Sequence, residues 1–118
     1  MLTVIHNDKD QVQYAIDGCT YKELENRFHL FFSSEGYRLR SAGSGKHIYE
    51  KGNRLLRNLF GAFFKYYRQR LIITSDRDKY SVIFQKDLSG ISGGLIREKQ
   101  VNREFSRLNE AFQYYFRN

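Results

Sequence analysis

Hydrophobic and polar residues follow one another along this chain in patterns that predict strands at the amino-terminal end. Residues 2–7 (LTVIHN) and 11–16 (QVQYAI) are short runs rich in β-forming side chains, and residues 8–10 (DKD) separate them. Two such runs around a polar turn are typical of a β-hairpin. Asp17-Gly18 then marks a further turn.

The first predicted helix covers residues 20–34. Thr20 and Glu23 have the spacing of a capping box, in which each side chain accepts a hydrogen bond from the other residue's backbone. Gly36 favours an end there, because glycine tolerates positive φ. The apolar positions form one stripe of a helix with 3.6 residues per turn: Tyr21, Leu24, Phe28, Phe31 and Phe32.

The middle of the chain predicts a hairpin, a short helix and two further strands. Residues 37–41 (YRLRS) and 47–51 (HIYEK) flank a glycine-containing loop, which favours a hairpin. Leucines and phenylalanines at helical spacing predict a short helix over 54–61, and the β-branched and aromatic run after it predicts a strand over 64–74. Residues 79–86 (KYSVIFQK) predict the returning strand.

A last helix is predicted over residues 96–116. Its apolar stripe is Val101, Phe105, Leu108, Phe112 and Tyr115, and its predicted wet face is Gln100, Arg103, Glu104, Arg107 and Glu110. The order of elements predicts an α+β fold, with a mostly antiparallel sheet and two amphipathic helices packed on one face. An antiparallel sheet of this kind often leaves its other face to water or to a partner.

Composition adds a domain count and an expected location. The 118 residues are 41% hydrophobic and 28% charged, with no proline, so we expect one α+β domain over 1–118. Cys19 is the only cysteine, which suits a reducing compartment. We see neither a secretory leader nor an apolar run long enough to span a bilayer. The expectation is a cytoplasmic protein without integral membrane association.

Charge is distributed unevenly. Residues 1–35 carry three basic and six acidic side chains, a net charge of −3, so the remainder carries +10 of the total of +7. Between Glu50 and Asp76 there is no acidic residue but there are six basic ones. This asymmetry favours an anionic partner, or self-association between unlike ends.

The basic and aromatic interval 54–70 (RLLRNLFGAFFKYYRQR) is the strongest functional signal. Arginine and lysine there can contact phosphates, and tyrosine can stack on bases, so the sequence predicts a basic sheet face that binds nucleic acid or another polyanion. The candidate residues are Arg38, Arg40, Arg54, Arg57, Lys65, Tyr66, Arg68 and Arg70. The competing interpretation is that the aromatic rings fill the core while the arginines only solvate the surface. Binding of the same interval to anionic lipid ranks below nucleic acid, because it would thin the core.

Residues 86–100 (KDLSGISGGLIREKQ) contain a second, weaker candidate. Ser92, Gly93 and Gly94 precede the last helix, where backbone N–H groups can hold an anion. The stretch matches neither of the glycine-rich nucleotide motifs. A strand-to-helix connection is therefore the preferred interpretation.

The sequence contains no motif that indicates catalysis, a metal site or a cofactor site. The three histidines lack the short spacing of a metal site, and no nucleophile motif is present. The sequence favours a small non-catalytic binding or interaction module. A structural or homo-oligomerisation domain, and a small-ligand binder or enzyme with a helix–sheet pocket, remain as alternatives.

Overall fold

The computed structural model describes residues 1–52, 66–88 and 95–117. The described part contains these strands and helices in chain order: β1 (Leu2–Asn7), β2 (Gln11–Asp17), α1 (Tyr21–Ser34), β3 (Arg38–Gly43), β4 (Lys46–Gly52), β5 (Tyr66–Asp76), β6 (Lys79–Lys86) and α2 (Leu95–Arg117).

The described strands form one six-stranded sheet in the order β1-β2-β6-β5-β4-β3. Every neighbouring pair runs antiparallel. The predicted α+β class with an antiparallel sheet is therefore confirmed. The pairing of β2 with β6 places Tyr14 opposite Val82 and connects the first hairpin to the last.

Elements with strong local signals lie where the sequence predicts them. The Thr20 hydroxyl accepts from the backbone of Glu23 at 3.2 Å, and the Thr20 backbone donates to the Glu23 carboxylate at 3.0 Å, so the capping box is formed. Strand β5 continues two residues beyond the predicted end, because Asp76 still pairs with Lys79 across the turn. The predicted short helix over 54–61 lies outside the described residues.

One hydrophobic cluster joins the sheet to the helices. It takes alternate residues of β2, β4, β5 and β6 together with apolar residues of α1 and α2. The ring of Phe84 on β6 lies 5.6 Å from Phe32 of α1 and 5.5 Å from Phe105 of α2, between ring centroids. Such aromatic contacts supply much of the burial energy available to a domain of this size.

The β3–β4 turn fits closely against β5. Ser44 and Gly45 both have positive φ, and the Ile73 N–H donates to the Gly45 carbonyl at 2.7 Å. A Cβ on Gly45 would lie 2.5 Å from the Ile73 carbonyl oxygen. Only glycine fits this turn without displacing β5.

A buried polar network joins α2 to the segment between α1 and β3 and to β5. The Tyr37 hydroxyl donates to Glu104 at 2.6 Å, and Gln69 donates to the Tyr37 hydroxyl at 3.3 Å. Arg107 donates two hydrogen bonds to Glu104 and one to Glu35, the C-cap residue of α1. Glu104 is buried, so its predicted place on the wet face of the helix is wrong: the tyrosine and arginine compensate the cost of burying its charge.

Candidate arginine-rich face

Strand β4 brings the arginines of two distant sequence segments together. Arg38 of β3 lies opposite Glu50 of β4, and Glu50 lies opposite Arg68 of β5. Arg70 is two residues further along β5, and Arg40 is the extra residue in a β-bulge of β3. We refer to Arg38, Arg40, Arg68 and Arg70 as the arginine cluster.

Glu50 is the central acceptor of the arginine cluster. Arg38 Nε donates to its Oε1 at 3.1 Å, Tyr66 donates its hydroxyl to Oε2 at 2.7 Å, and Arg40 Nε lies 3.9 Å from Oε2. Burial opposes ionisation of Glu50. The Tyr66 hydrogen bond and the charges of Arg38 and Arg40 outweigh it, so the pKa of this carboxyl falls below its ordinary value. Glu50 is therefore a carboxylate at neutral pH.

The two arginines of β3 are open to solvent despite these contacts. The side chain of Arg38 is 63% exposed and that of Arg40 is 55% exposed. Arg38 also donates to the Gly52 carbonyl at 3.2 Å, which holds its guanidinium over the strand end. Both groups keep N–H donors available to a further anion, because a guanidinium carries five.

The arginines of β5 lie deeper. Arg68 pairs with buried Asp87 at 3.5 Å. Arg70 Nε is buried, and no described residue accepts a hydrogen bond from it; a buried donor of this kind normally has a partner. Among the residues that the structure describes, the four arginines face two carboxylates, those of Glu50 and Asp87, which is a formal excess of two positive charges.

Tyr66 occupies a different environment from the one that base stacking requires. Its ring is buried and its hydroxyl is bonded to Glu50. Tyr66 therefore holds the Glu50 carboxylate in place. An anion that binds at this face would be contacted by guanidinium groups and not by the tyrosine ring. The other predicted residues lie outside the described residues: Arg54, Arg57, Lys65, Ser92, Gly93 and Gly94.

A half-buried surface continues the cluster across the sheet. Ile72 and Ile83 lie directly opposite each other on β5 and β6, with Ile48 of β4 opposite Arg70. Beyond them, Gln85 donates to Gln11 at 2.8 Å. This face combines guanidinium groups, isoleucines and side-chain amides.

A groove between α2 and the β1–β2 turn is a feature that the sequence did not lead us to expect in this place. It encloses about 540 Å³, and its lining includes Asn102, Asn109 and Gln113. Buried Tyr14 donates to Asn109 at 2.7 Å and accepts from Gln113 at 3.1 Å, and burial raises the pKa of Tyr14 to about 12. One sequence pattern could have indicated this groove: a stripe of polar residues spaced four, three and four positions apart along the last helix, Asn102, Ser106, Asn109 and Gln113.

Two histidines meet between α1 and β4. His47 is buried and its Nε2 lies 3.0 Å from Glu25, while His29 Nδ1 lies 2.6 Å from the Tyr49 hydroxyl. The two imidazole centroids are 5.8 Å apart. In the parts of the chain that the structure describes, no three His, Cys, Asp or Glu residues are grouped so that they could hold a metal ion.

Two further results bear on identity. The described helices include none with the length and apolar character needed to cross a bilayer. Comparison with protein-family models and with curated protein sequences finds no match for this chain.

Proposed function

We propose that this chain is a small non-catalytic binding module whose arginine cluster binds an anionic partner, for which nucleic acid is the leading candidate. The observation that supports this proposal most strongly is the register of β3, β4 and β5. It places the arginines of β3 and those of β5 on either side of the Glu50 carboxylate. Guanidinium groups suit this task because their planar donors match the oxygens of a phosphate.

The proposal requires that the sheet face bearing the arginine cluster be accessible. We infer that α1 and α2 both pack on the other face of the sheet. Phe32 of α1 and Phe105 of α2 both contact Phe84. Phe84 lies on the side of β6 that carries its fully buried residues, whereas Ile83 and Gln85 lie on its other side, which is half-buried. On this arrangement the arginine cluster lies on the side away from α1 and α2.

The expected mode of binding is electrostatic contact with the phosphate backbone. Arg38 and Arg40 offer exposed donors, while buried Tyr66 does not offer a ring to a base. Backbone contacts of this kind give affinity with little sequence preference and strong salt dependence. A reducing cytoplasm, in keeping with the single Cys19, is the proposed location.

The test is fluorescence anisotropy with labelled single-stranded and double-stranded oligonucleotides over a series of salt concentrations. We expect the wild-type protein to bind at low salt and to weaken steeply as salt rises. The double variant Arg38→Ala/Arg40→Ala should bind more weakly. Its slope of log affinity against log salt should fall by about two, one for each phosphate that the variant no longer neutralises.

The matched control removes two positive charges elsewhere. Lys22 and Lys79 are exposed residues outside the cluster, and Lys22→Ala/Lys79→Ala should keep most of the affinity and the salt slope. Equal losses in the two double variants would contradict a local site. Absence of binding by the wild-type protein at low salt would refute nucleic acid as the partner.

A further inference from the structure

The groove between α2 and the β1–β2 turn shares no residue with the arginine cluster. Its volume of about 540 Å³ lies within the range of small-molecule sites. Its wall on α2 is the polar stripe Asn102, Ser106, Asn109 and Gln113, which extends about 16 Å along the helix axis. The groove therefore has room for a linear ligand.

Buried contacts hold the polar groups at one end of the groove. The Tyr14 hydroxyl donates to Asn109 Oδ1 at 2.7 Å, and Asn109 Nδ2 donates to the Phe105 carbonyl at 2.9 Å. Gln113 Nε2 donates to the Tyr14 hydroxyl at 3.1 Å. This bond fixes the Gln113 amide and leaves its Oε1 as an acceptor for a ligand.

Lys86 orients the amide at the other end. Its Nζ donates to Asn102 Oδ1 at 2.6 Å and pairs with Asp10 at 3.0 Å, and its side chain is only 6% exposed. Asn102 is itself exposed and keeps its Nδ2 as a donor. The groove thus presents a donor at one end and an acceptor at the other, both held before a ligand arrives, which lowers the entropy cost of binding.

The charge of the groove is unsuited to an anion. Its described lining carries two carboxylates, Asp8 and Glu110, and one ammonium group, Lys9, which give a formal charge of −1. Lys86 adds no net charge because Asp10 pairs with it. A phosphate-bearing ligand would be repelled here, whereas the arginine cluster would attract it.

The apolar part of the lining is small. Val12 is 2% exposed and Phe105 is 4% exposed, so neither offers an apolar ligand a large contact. Sites for such ligands are lined mostly by hydrophobic side chains. Hydrogen bonds must therefore hold the ligand, and amide and hydroxyl side chains both donate and accept them.

We propose that this groove binds a short neutral oligosaccharide. Each sugar hydroxyl is both a donor and an acceptor, which matches a lining of amides and a serine hydroxyl. Asn102 and Gln113 contact hydroxyls at the two ends of the sugar chain, and Ser106 contacts one between them. The site is separate from the proposed anion-binding face, so either can be wrong without the other.

Nuclear magnetic resonance of isotope-labelled protein tests the proposal, with maltotriose, cellotriose and the trimer of N-acetylglucosamine as neutral probes. We expect saturable shifts of backbone amides at residues 7–12 and 102–113 with at least one of them. The acidic trimer of galacturonic acid should cause smaller shifts, because the groove repels anions. Arg38→Ala/Arg40→Ala should bind the neutral sugar as the wild type does.

Ser106→Trp is the blocking variant. Ser106 is exposed in the middle of the stripe, so an indole there fills the groove and should remove the shifts caused by the sugar. Ser33→Trp places the same ring at an exposed position of α1 outside the groove and should leave them unchanged. Circular dichroism confirms that both variants are folded. Absence of saturable shifts with all three neutral sugars, tighter binding of the acidic trimer, or equal losses in the two tryptophan variants would overturn the proposal.

Discussion

If the arginine cluster binds an anion as we propose, Glu50 controls how much of the positive charge in the cluster is available to that partner. It accepts from Arg38 and Tyr66 and lies near Arg40, so an incoming phosphate competes with it. We expect Glu50→Gln to tighten oligonucleotide binding by about tenfold at low salt, because one negative charge at the site is removed.

The control for this prediction is Glu110→Gln, which removes the same charge at an exposed position on α2. Anisotropy should show a much smaller gain for that variant. Weaker binding by Glu50→Gln in a folded protein would mean that the cluster is only an internal salt-bridge network.

Glu104 holds α2 in place through charge. It accepts from Tyr37 and Arg107, and Lys51 lies 3.9 Å away. Glu104→Ala should lower the free energy of unfolding by about 3 kcal/mol, because it leaves buried donors without their acceptor. Urea denaturation measures this loss. Glu110→Ala, on the same helix but exposed, should change stability by no more than about 0.5 kcal/mol.

His29 should make the fold less stable in mild acid. Burial, and then the neighbouring His47, lower the pKa of His29 despite the opposing charge of Glu25. The unfolded chain therefore takes up a proton first as pH falls. The stabilisation is complete above the ordinary histidine pKa of about 6.5, and it is lost as pH falls through the lower pKa of the folded state.

Urea midpoints measured between neutral and mildly acidic pH test this prediction. His29→Gln should reduce the dependence on pH, while the exposed control His6→Gln should not. An unchanged pH dependence in His29→Gln would show that another group is responsible.

At the scale of single elements, α1 depends on its capping box. Thr20→Ala removes the acceptor for the Glu23 N–H and should cost about 1 kcal/mol of unfolding free energy. Thr20→Ser keeps a hydroxyl at the same position and should restore most of the loss. If serine and alanine were equally destabilising, the cap would not be the cause.

Elements were predictable where their signals lie within a few residues. The capping box and apolar stripe locate α1, and the polar turn at residues 8–10 locates the first hairpin. The residues beside the apolar stripe of α2 were less predictable. Periodicity identified the stripe itself, but it could not show that Glu104 contacts Tyr37, which is 67 residues away in sequence. Contacts of this kind depend on the tertiary arrangement.

At the scale of the whole molecule, the same limit applies to the arginine cluster. The alternation within each strand predicted that Arg38 and Arg40 share a face, and that Arg68 and Arg70 do. Their meeting depends on the insertion of β4 between β3 and β5 in register, which strand patterns alone do not determine. The carboxylate of Glu50 at the centre became visible only with that register.

The central claim, that the arginine-rich sheet face and no other surface receives an anionic partner, is tested most directly by nuclear magnetic resonance. An isotope-labelled sample is titrated with an oligonucleotide at low salt, and backbone amide and arginine Nε–H resonances are followed. The account predicts that the largest shifts occur on β3, β4 and β5 and at the Nε–H groups of Arg38 and Arg40. Shifts confined to the α2 groove around Asn109, or to the outer faces of the helices, would contradict it.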